Sequence, residues 1–309
     1  MKKILLPLTL TLLFSGCTIG SNLSYRGDKK MNKIDITILD QQTLTFQAKK
    51  GLVSSEISDL SYNSKEHKLY MIGDKGYFHI FEADFSNYID KMNYIDSFKI
   101  DEKAKHGVYD SEGLTSDNKG ELYISFEKSP RISHVNKKGY IQRDIKLTNE
   151  LHNKSNFQGG NKIFEALAWH PKYGLITVAE YPLHKRKNTQ QTLYAITGQK
   201  WHFQAAPHLH NAVTAIEVMD DGNILVLERA YAGLTKPFVL TLRKVYLNKC
   251  DQNRLCQSKV LASLNSFDGW SVNNYEGLTK VGKNRYLMVS DNNNKSILKT
   301  VLVYFKINE

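Results

Sequence analysis

Long apolar runs, cysteines, basic blocks and helical periodicity are all scarce in this chain. Cysteine occurs three times in 309 residues. The apolar run at residues 4–14 falls short of the roughly 20 residues that a membrane-spanning helix needs. No Lys/Arg block exceeds three consecutive residues, at Lys185-Arg186-Lys187. No nucleic-acid-binding motif is present either, so DNA or RNA is not an expected partner. No Gly-x-Ser-x-Gly elbow occurs, which removes the serine mechanism of the α/β-hydrolases. Gly159-Gly160 lacks the strand-to-helix turn of a phosphate loop. With 3.6-residue periodicity nearly absent, the chain reads as all-β.

What the chain does contain is a segment in five copies. They read ISDLSYNSKEHKLYMIGDKG from Ile57, DSEGLTSDNKGELYISFEKS from Asp110 and FEALAWHPKYGLITVAEYPL from Phe164. VTAIEVMDDGNILVLERAYA from Val213 and NYEGLTKVGKNRYLMVSDNN from Asn274 complete the set. The anchoring apolar residue is Leu60, Leu114, Leu167, Ile216 and Leu278, at steps of 54, 53, 49 and 62 residues. Each copy reads strand, turn, strand. The turns, such as Asp117-Asn118-Lys119-Gly120 and Asp220-Asp221-Gly222, use residues that accept positive φ. Repetition on this scale, about 40–50 residues, predicts a β-propeller of four-stranded blades. Five copies favour five blades. Two N-terminal strand patterns, at residues 34–39 and 43–48, and the 62-residue step leave a sixth open. Only one strand pattern, residues 297–307, follows the fifth copy, so an N-terminal strand is expected to complete that blade and remove the open edge.

Residues 1–16 are expected to lie outside this single domain of residues 33–309. Met1-Lys2-Lys3 followed by the apolar run has the form of a signal peptide. Leu13-Phe14-Ser15-Gly16-Cys17 resembles a bacterial lipobox, with Phe14 where Leu is usual. The resemblance implies cleavage before Cys17, lipidation of its thiol and a place in the cell envelope, periplasmic or outer-membrane. Thr18, not Asp, follows, which under the sorting rule favours the outer membrane. Residues 17–32 then form the lipidated cysteine and a polar tether. Outside the cytoplasm, Cys250 and Cys256 at a hairpin tip read as a disulfide worth about 2 kcal/mol. The weaker reading of that pair is a metal site. Removing Lys2 and Lys3 lowers the net charge from +11 to +9. That is either a solvated lysine-rich surface or an attraction for anionic partners. The chain is expected to be a monomer that meets the membrane through its lipid alone.

The acids have a pattern. Just before the anchor stand Glu112, Glu165 and Glu276, with Asp59 in a neighbouring slot. At the end of the second strand stand Asp74, Glu127, Glu180, Glu228 and Asp291. Antiparallel pairing brings both sets to one face of the propeller, near its axis. Carboxylates this close cannot all ionise without compensation. A hard cation such as Ca²⁺ would supply it, and so would basic residues on the same loops: Lys75, Lys128, Arg131, Arg229 and His184-Lys185-Arg186. Glu112, Glu127, Glu165, Glu180, Glu228, Glu276 and Asp291 are therefore the candidate metal ligands. A rim of this kind suits a phosphate ester, with metal and arginine holding the anion and a metal-bound water attacking. The bland alternative is that each acid hydrogen-bonds a neighbouring loop and fixes blade register. His208-Leu209-His210, with alternate spacing, is a weaker metal candidate, and His170 is expected in a turn on the opposite face.

These residues, in order, resemble the phytase-like family of exported β-propellers, described as having the esterase-like activity of phytase. The matching motifs are Ile57-Ser58-Asp59-Leu60 with Gly73-Asp74-Lys75-Gly76, and Asp110-Ser111-Glu112-Gly113-Leu114 with Ser129-Pro130-Arg131. Phe164-Glu165-Ala166-Leu167 with Tyr181-Pro182-Leu183, Leu227-Glu228-Arg229, and Tyr275-Glu276-Gly277-Leu278 with Ser290-Asp291-Asn292-Asn293 follow. Phe126 departs from the family's usual Asp, and Lys75 from its usual Arg. The resemblance implies hydrolysis of phosphate or other esters, and together with the acidic rim it gives the reading of a Ca²⁺-assisted hydrolase. Glu112, Glu165, Glu276, Arg131 and Arg229 would be its catalytic residues, and Lys75, Arg131, Arg229 and Lys185 would bind an anionic small-molecule substrate. The alternative is a non-catalytic envelope propeller that binds a ligand or an envelope protein on the same face.

Overall fold

The computed structural model describes residues 22–27, 34–89, 91–100, 110–159, 162–184, 186–187, 189–233, 235–294 and 298–309. Cys17 and Lys185 lie outside them. Five four-stranded antiparallel sheets form the body of the protein, each the blade of a β-propeller. Blade 1 runs Ile57–Asn63, Lys68–Gly73, Tyr77–Asp84, Lys91–Lys99, and blade 2 runs Ser111–Ser116, Leu122–Phe126, Arg131–Val135, Ile141–Asp144. Blade 3 is Ala166–His170, Gly174–Val178, Gln190–Ala195, Lys200–Gln204, and blade 4 is Asn211–Val218, Ile224–Ala230, Val239–Cys250, Cys256–Asn265. Blade 5 takes Tyr275–Gly282, Arg285–Ser290 and Val301–Ile307 from the C-terminal part and its outermost strand, Ile36–Thr43, from the N-terminal part. The first strands of the blades adjoin one another in a closed ring about the axis. No helix among the described residues is long and apolar enough to cross a membrane.

The second strands, such as Leu122–Phe126 and Arg285–Ser290, are buried on both faces and largely apolar, whereas outer strands such as Lys91–Lys99 and Ile141–Asp144 are polar and partly exposed. Alternation then decides which neighbour each side chain meets. In Arg285–Ser290, Tyr286 and Met288 join the core shared with blade 4, and Leu287 and Val289 the core shared with blade 1. Val303 and Phe305 against Leu302 and Tyr304 divide the same way.

Ring closure follows the expectation, with one adjustment. The N-terminal patterns make one strand, not two. Ile36–Thr43 pairs with Val301–Ile307 through a bulge between Ile38 and Asp40. Residues 44–48 leave the sheet and cross to blade 1, where Phe46 packs edge-on to Phe81 with centroids 5.0 Å apart. No sixth blade is left to build. The long fourth step is taken up by the 12- and 10-residue strands of blade 4, whose hairpin tip carries the Cys250–Cys256 disulfide. That tip reaches blade 3, where His202 N donates to Arg254 O at 2.8 Å.

The tightest point of the ring is one equivalent position on the five first strands: Asp59, Gly113, Ala166, Ala215 and Gly277. A Cβ on Gly113 would meet Leu167 N at 2.7 Å, and one on Gly277 would meet Asp59 Cα at 2.8 Å. Asp59 is the one larger residue there, and it uses the room that Gly277 leaves. Its buried carboxylate accepts from Leu60 N (2.8 Å), Leu114 N (2.7 Å) and Leu278 N (3.1 Å), joining blades 1, 2 and 5. Replacing Asp59 with Ala orphans three buried donors and is expected to cost about 3 kcal/mol or more. For a domain of this size that is a Tm roughly 6–12 °C lower, readable by calorimetry.

Candidate functional site

The first strands begin, and the second strands end, on one face of the propeller, called here the upper face. Strand register identifies equivalent positions around it. Ile57 pairs with Gly73, Ser111 with Phe126, Val213 with Glu228 and Tyr275 with Ser290. The next residue on the first strand is Ser58, Glu112, Thr214 or Glu276, with Glu165 corresponding in blade 3. The next on the second strand is Asp74, Glu127, Arg229 or Asp291, with Glu180 corresponding in blade 3. The rim thus carries seven carboxylates, Asp74, Glu112, Glu127, Glu165, Glu180, Glu276 and Asp291, and one guanidinium.

Blade 4 therefore corrects the sequence alignment by one residue: Arg229, not Glu228, fills its rim position. Alternation turns Glu228 away from the channel into the blade, where it is fully buried. Its carboxylate accepts from Arg243 Nε (2.7 Å), Ala206 N (2.7 Å) and Asn211 Nδ2 (3.0 Å), leaving it no role as a rim metal ligand.

The carboxylates gather in two overlapping sets. Asp110, Glu112 and Glu127 form one and Glu127, Glu165 and Glu180 the other, with one oxygen from each residue within 4.8 Å of the others in its set. Glu127 belongs to both. It is 7% exposed, and among the described residues its carboxylate accepts no hydrogen bond and forms no ion pair. Glu276 stands on the other side of Arg229, whose Nη1 lies 2.7 Å from Glu276 Oε1 and whose Nη2 lies 3.8 Å from Glu180 Oε1. Arg229 also donates to Asn274 Oδ1, and Asn274 Nδ2 donates to Glu276 at 2.7 Å. Asp74 accepts from Ser58 Oγ at 2.5 Å. Asp291 accepts from Asn293 N at 2.9 Å, with its oxygen in the turn that ends the strand.

The cations divide differently from the sequence reading. Lys75 is exposed and pairs with Glu56 at 2.5 Å, outside the ring, and Lys128 pairs with Asp110 at 3.2 Å. Arg131 is buried with its guanidinium 4.0 Å from the centre of the Phe126 ring, and Phe126 belongs to the core between blades 1 and 2. Arg131 opens its strand on the upper face, opposite Phe126 and so one residue along from rim Glu127. Lys162, which sequence reasoning missed, pairs with Glu180 at 3.0 Å and lies 4.1 Å from the centre of the Tyr181 ring. Asp110 and Asn274 were missed too. Their signal was place, since each stands two residues before a rim Glu. His208 and His210 lie in a bend and turn with φ of +53° at His210, so they do not share a strand face. His170 closes its turn on the lower face as expected, Nδ1 accepting from Lys172 N at 3.0 Å. A lower-face cavity of about 650 Å³, lined in part by Trp169, His170 and Lys280, holds none of the predicted site residues.

Burial and like charge act together on the rim. Burial, then the neighbouring carboxylates of Glu165, Asp74 and Glu276, holds Glu112 well above the usual carboxylate range. Burial, with Glu180 and Glu127 next, does the same to Glu165. Glu127 is pushed to about 8 by burial and by Glu180 and Asp110. Glu276 is pushed to about 8 by burial, although Arg229 pulls it down, and burial pushes Asp291 to about 6. Without a bound cation Glu112, Glu127, Glu165 and Glu276 keep protons at neutral pH, whereas Asp291 has lost most of its own. The donor set is all oxygen, crowded and, at Glu127, without a hydrogen-bond or ion-pair partner among the described residues, which fits a hard divalent cation such as Ca²⁺.

Residues 54–294 match the family described as "Phytase-like: Esterase-like activity of phytase". The chain belongs to this family. No curated protein matches it. Among solved structures it is similar to virginiamycin B lyase from Staphylococcus aureus, at 9% identity and a TM-score of 0.39 over 89% of this chain and 99% of that one. A luciferin-regenerating enzyme aligns at 11% identity and a TM-score of 0.44 over 82% of this chain and 91% of the other. The Neurospora crassa Pan2 WD40 domain aligns at 7% identity and 0.38 over 90% and 97%. Likenesses this distant say nothing of activity.

Two outcomes follow from the electrostatics. Asp74, Glu112, Glu127, Glu165, Glu276 and Asp291 have folded pKa values above their unfolded values of about 4, so their favourable contribution is complete below that range and is lost as pH rises to about 8. The Tm of metal-free protein is expected to fall across this window, and added Ca²⁺ to restore it at pH 8, as scanning calorimetry would show. Glu228→Gln is expected to lose about 3 kcal/mol in denaturant unfolding, because it leaves Arg243 buried without its counter-charge. Calorimetric Ca²⁺ affinity should stay unchanged.

Proposed function

We propose that this member of the phytase-like family is a hydrolase of phosphate esters or other esters, Ca²⁺-assisted and working at the upper mouth of the propeller. The observation that carries the reading is the pair of carboxylate sets joined at Glu127, beside a rim cation on blade 4. Anchoring in the cell envelope through Cys17, which lies outside the described residues, is part of the same proposal.

In this reading Asp110, Glu112, Glu127, Glu165 and Glu180 would hold the cation, which supplies positive charge to polarise the bond to be broken. Arg229 has guanidinium N–H groups beyond those given to Glu276 and Asn274, and with Lys162 it would orient an anionic ester group over the mouth. Glu276 keeps its proton near neutral pH, and it stands beside Arg229 where it can protonate a leaving alkoxide. Asn274, bonded to both Arg229 and Glu276, would keep the two in register. Lys75 and Lys128, paired with Glu56 and Asp110, would stand at the outer rim.

Calcium titration by calorimetry, with assays on phytate and on p-nitrophenyl phosphate and acetate with and without EDTA, tests the proposal. Turnover should depend on Ca²⁺. Glu127→Gln, which weakens both sets at once, should lower Ca²⁺ affinity at least about tenfold and turnover about 100-fold. Calcium binding without turnover of any ester would replace the hydrolase with a ligand-binding propeller. Absence of both would return the rim to blade packing.

A further inference from the structure

On the upper face, blade 4 ends in a row of apolar side chains, one at the end of each strand. Leu209 precedes the first strand, Tyr231 follows the second, Phe238 precedes the third and Phe267 follows the fourth. Leu209 is 63% exposed, Tyr231 50% and Phe267 64%. Asn211 pairs with Ala230, so Leu209 and Tyr231 flank one rung at the upper end of the sheet. Tyr231 packs on Phe238 with centroids 5.5 Å apart, and Phe238 is tied to Ser266 by hydrogen bonds in both directions, next to Phe267. Burial in the core accounts for none of these three exposed groups, and exposed apolar side chains gathered at one blade end mark a surface that meets something else.

The N-terminal segment identifies what it meets. Ser24–Tyr25 pairs with Trp270–Ser271, on the loop that follows Phe267. Arg26 N donates to Gly269 O at 2.8 Å, and the Gln41 side chain bonds both Leu23 N (2.7 Å) and Leu23 O (2.9 Å). Leu23 is buried, and Tyr25 and Phe238 pack against the same core cluster. The chain is therefore pinned to this edge from Leu23 onward. Cys17 stands five residues before Asn22. At about 3.5 Å per extended residue, its Cα lies no more than roughly 18 Å from the Cα of Asn22. If Cys17 carries lipid, the bilayer surface is within that reach of blade 4. Exposed Arg26 and Lys236 on this edge suit anionic headgroups. Leucine, tyrosine and phenylalanine are side chains that settle at the bilayer interface.

We propose that Leu209, Tyr231 and Phe267 form a bilayer-contact surface that seats the propeller with its acidic mouth turned toward the lipid headgroups. The membrane contact expected through lipid alone thus gains a protein surface. The argument rests in part on the reading of Cys17 as lipidated, and the tests separate the two.

The chain of residues 18–309 contains every described element but no lipid site. Sedimentation with vesicles of phosphatidylethanolamine and phosphatidylglycerol should show it bound, and the triple variant L209S/Y231S/F267S should bind at least about tenfold more weakly at unchanged Tm. Failure of the unsubstituted chain to bind, or equal binding by both, overturns the proposal whatever the state of Cys17. Lipidation itself is read independently, from the mass of the N-terminal peptide of the full chain. In the membrane-bound full chain, a fluorophore at position 267 should be quenched by brominated lipids, and one at position 88, in a lower-face loop, should not. The reverse, or equal quenching, overturns the orientation.

Discussion

Five strands meeting around one axis leave room for small side chains and little else. Gly113, Ala166, Ala215 and Gly277 meet that demand by giving up their side chains. Asp59 meets it by turning the cramped space into three hydrogen bonds to the backbones of three blades. The remainder of the architecture follows from this closure. Once the first strands are fixed side by side, each blade buries both faces against its neighbours. The ring must then be locked by pairing residues 36–43 with residues 301–307.

The same closure creates the electrostatic problem at the mouth. Residues one position before the tight point are brought together from different blades, whatever their charge. Seven acids occupy the rim positions, and blade 4 alone places a cation there. Burial strengthens the repulsion, because water that would screen it is displaced by protein. Arg229 and Lys162 relieve one side of the ring. Glu127, shared by both carboxylate sets and without a partner among the described residues, carries the remaining deficit. A site poised in this way is destabilised when empty of protons and cations, a common condition of places that bind.

The sequence was most legible where a pattern repeats. Five copies with a common anchor predicted five blades, and the lone strand after the fifth copy predicted closure by the N-terminal segment. Rim residues Glu112, Glu127, Glu165, Glu180, Glu276 and Asp291 were visible because their spacing to the anchor is regular. Where the argument depended on a single residue of register it went astray. Leu227-Glu228-Arg229 aligns by eye on its acid, yet Val213 pairs with Glu228 as Ser111 pairs with Phe126, which leaves Arg229 in the rim position. In a strand, a shift of one residue exchanges inside for outside. The second N-terminal pattern failed for a related reason. Leu44 and Phe46 alternate like strand residues because they pack on blade 1, not because they pair with a neighbour.

The sequence by itself favoured five blades over six and determined the propeller fold, the way the ring closes, the disulfide and the acidic character of one face. Each of these is a local periodicity or a composition at a fixed offset from it. Tertiary structure alone decided which charges share a space. Asp110 joins Glu112 and Glu127, Lys162 reaches Glu180, Arg131 stacks on Phe126, and Leu209, Tyr231 and Phe267 align along one edge. These neighbours are set by bulges, by loop paths and by contacts between blades far apart along the chain, and linear spacing holds no record of them.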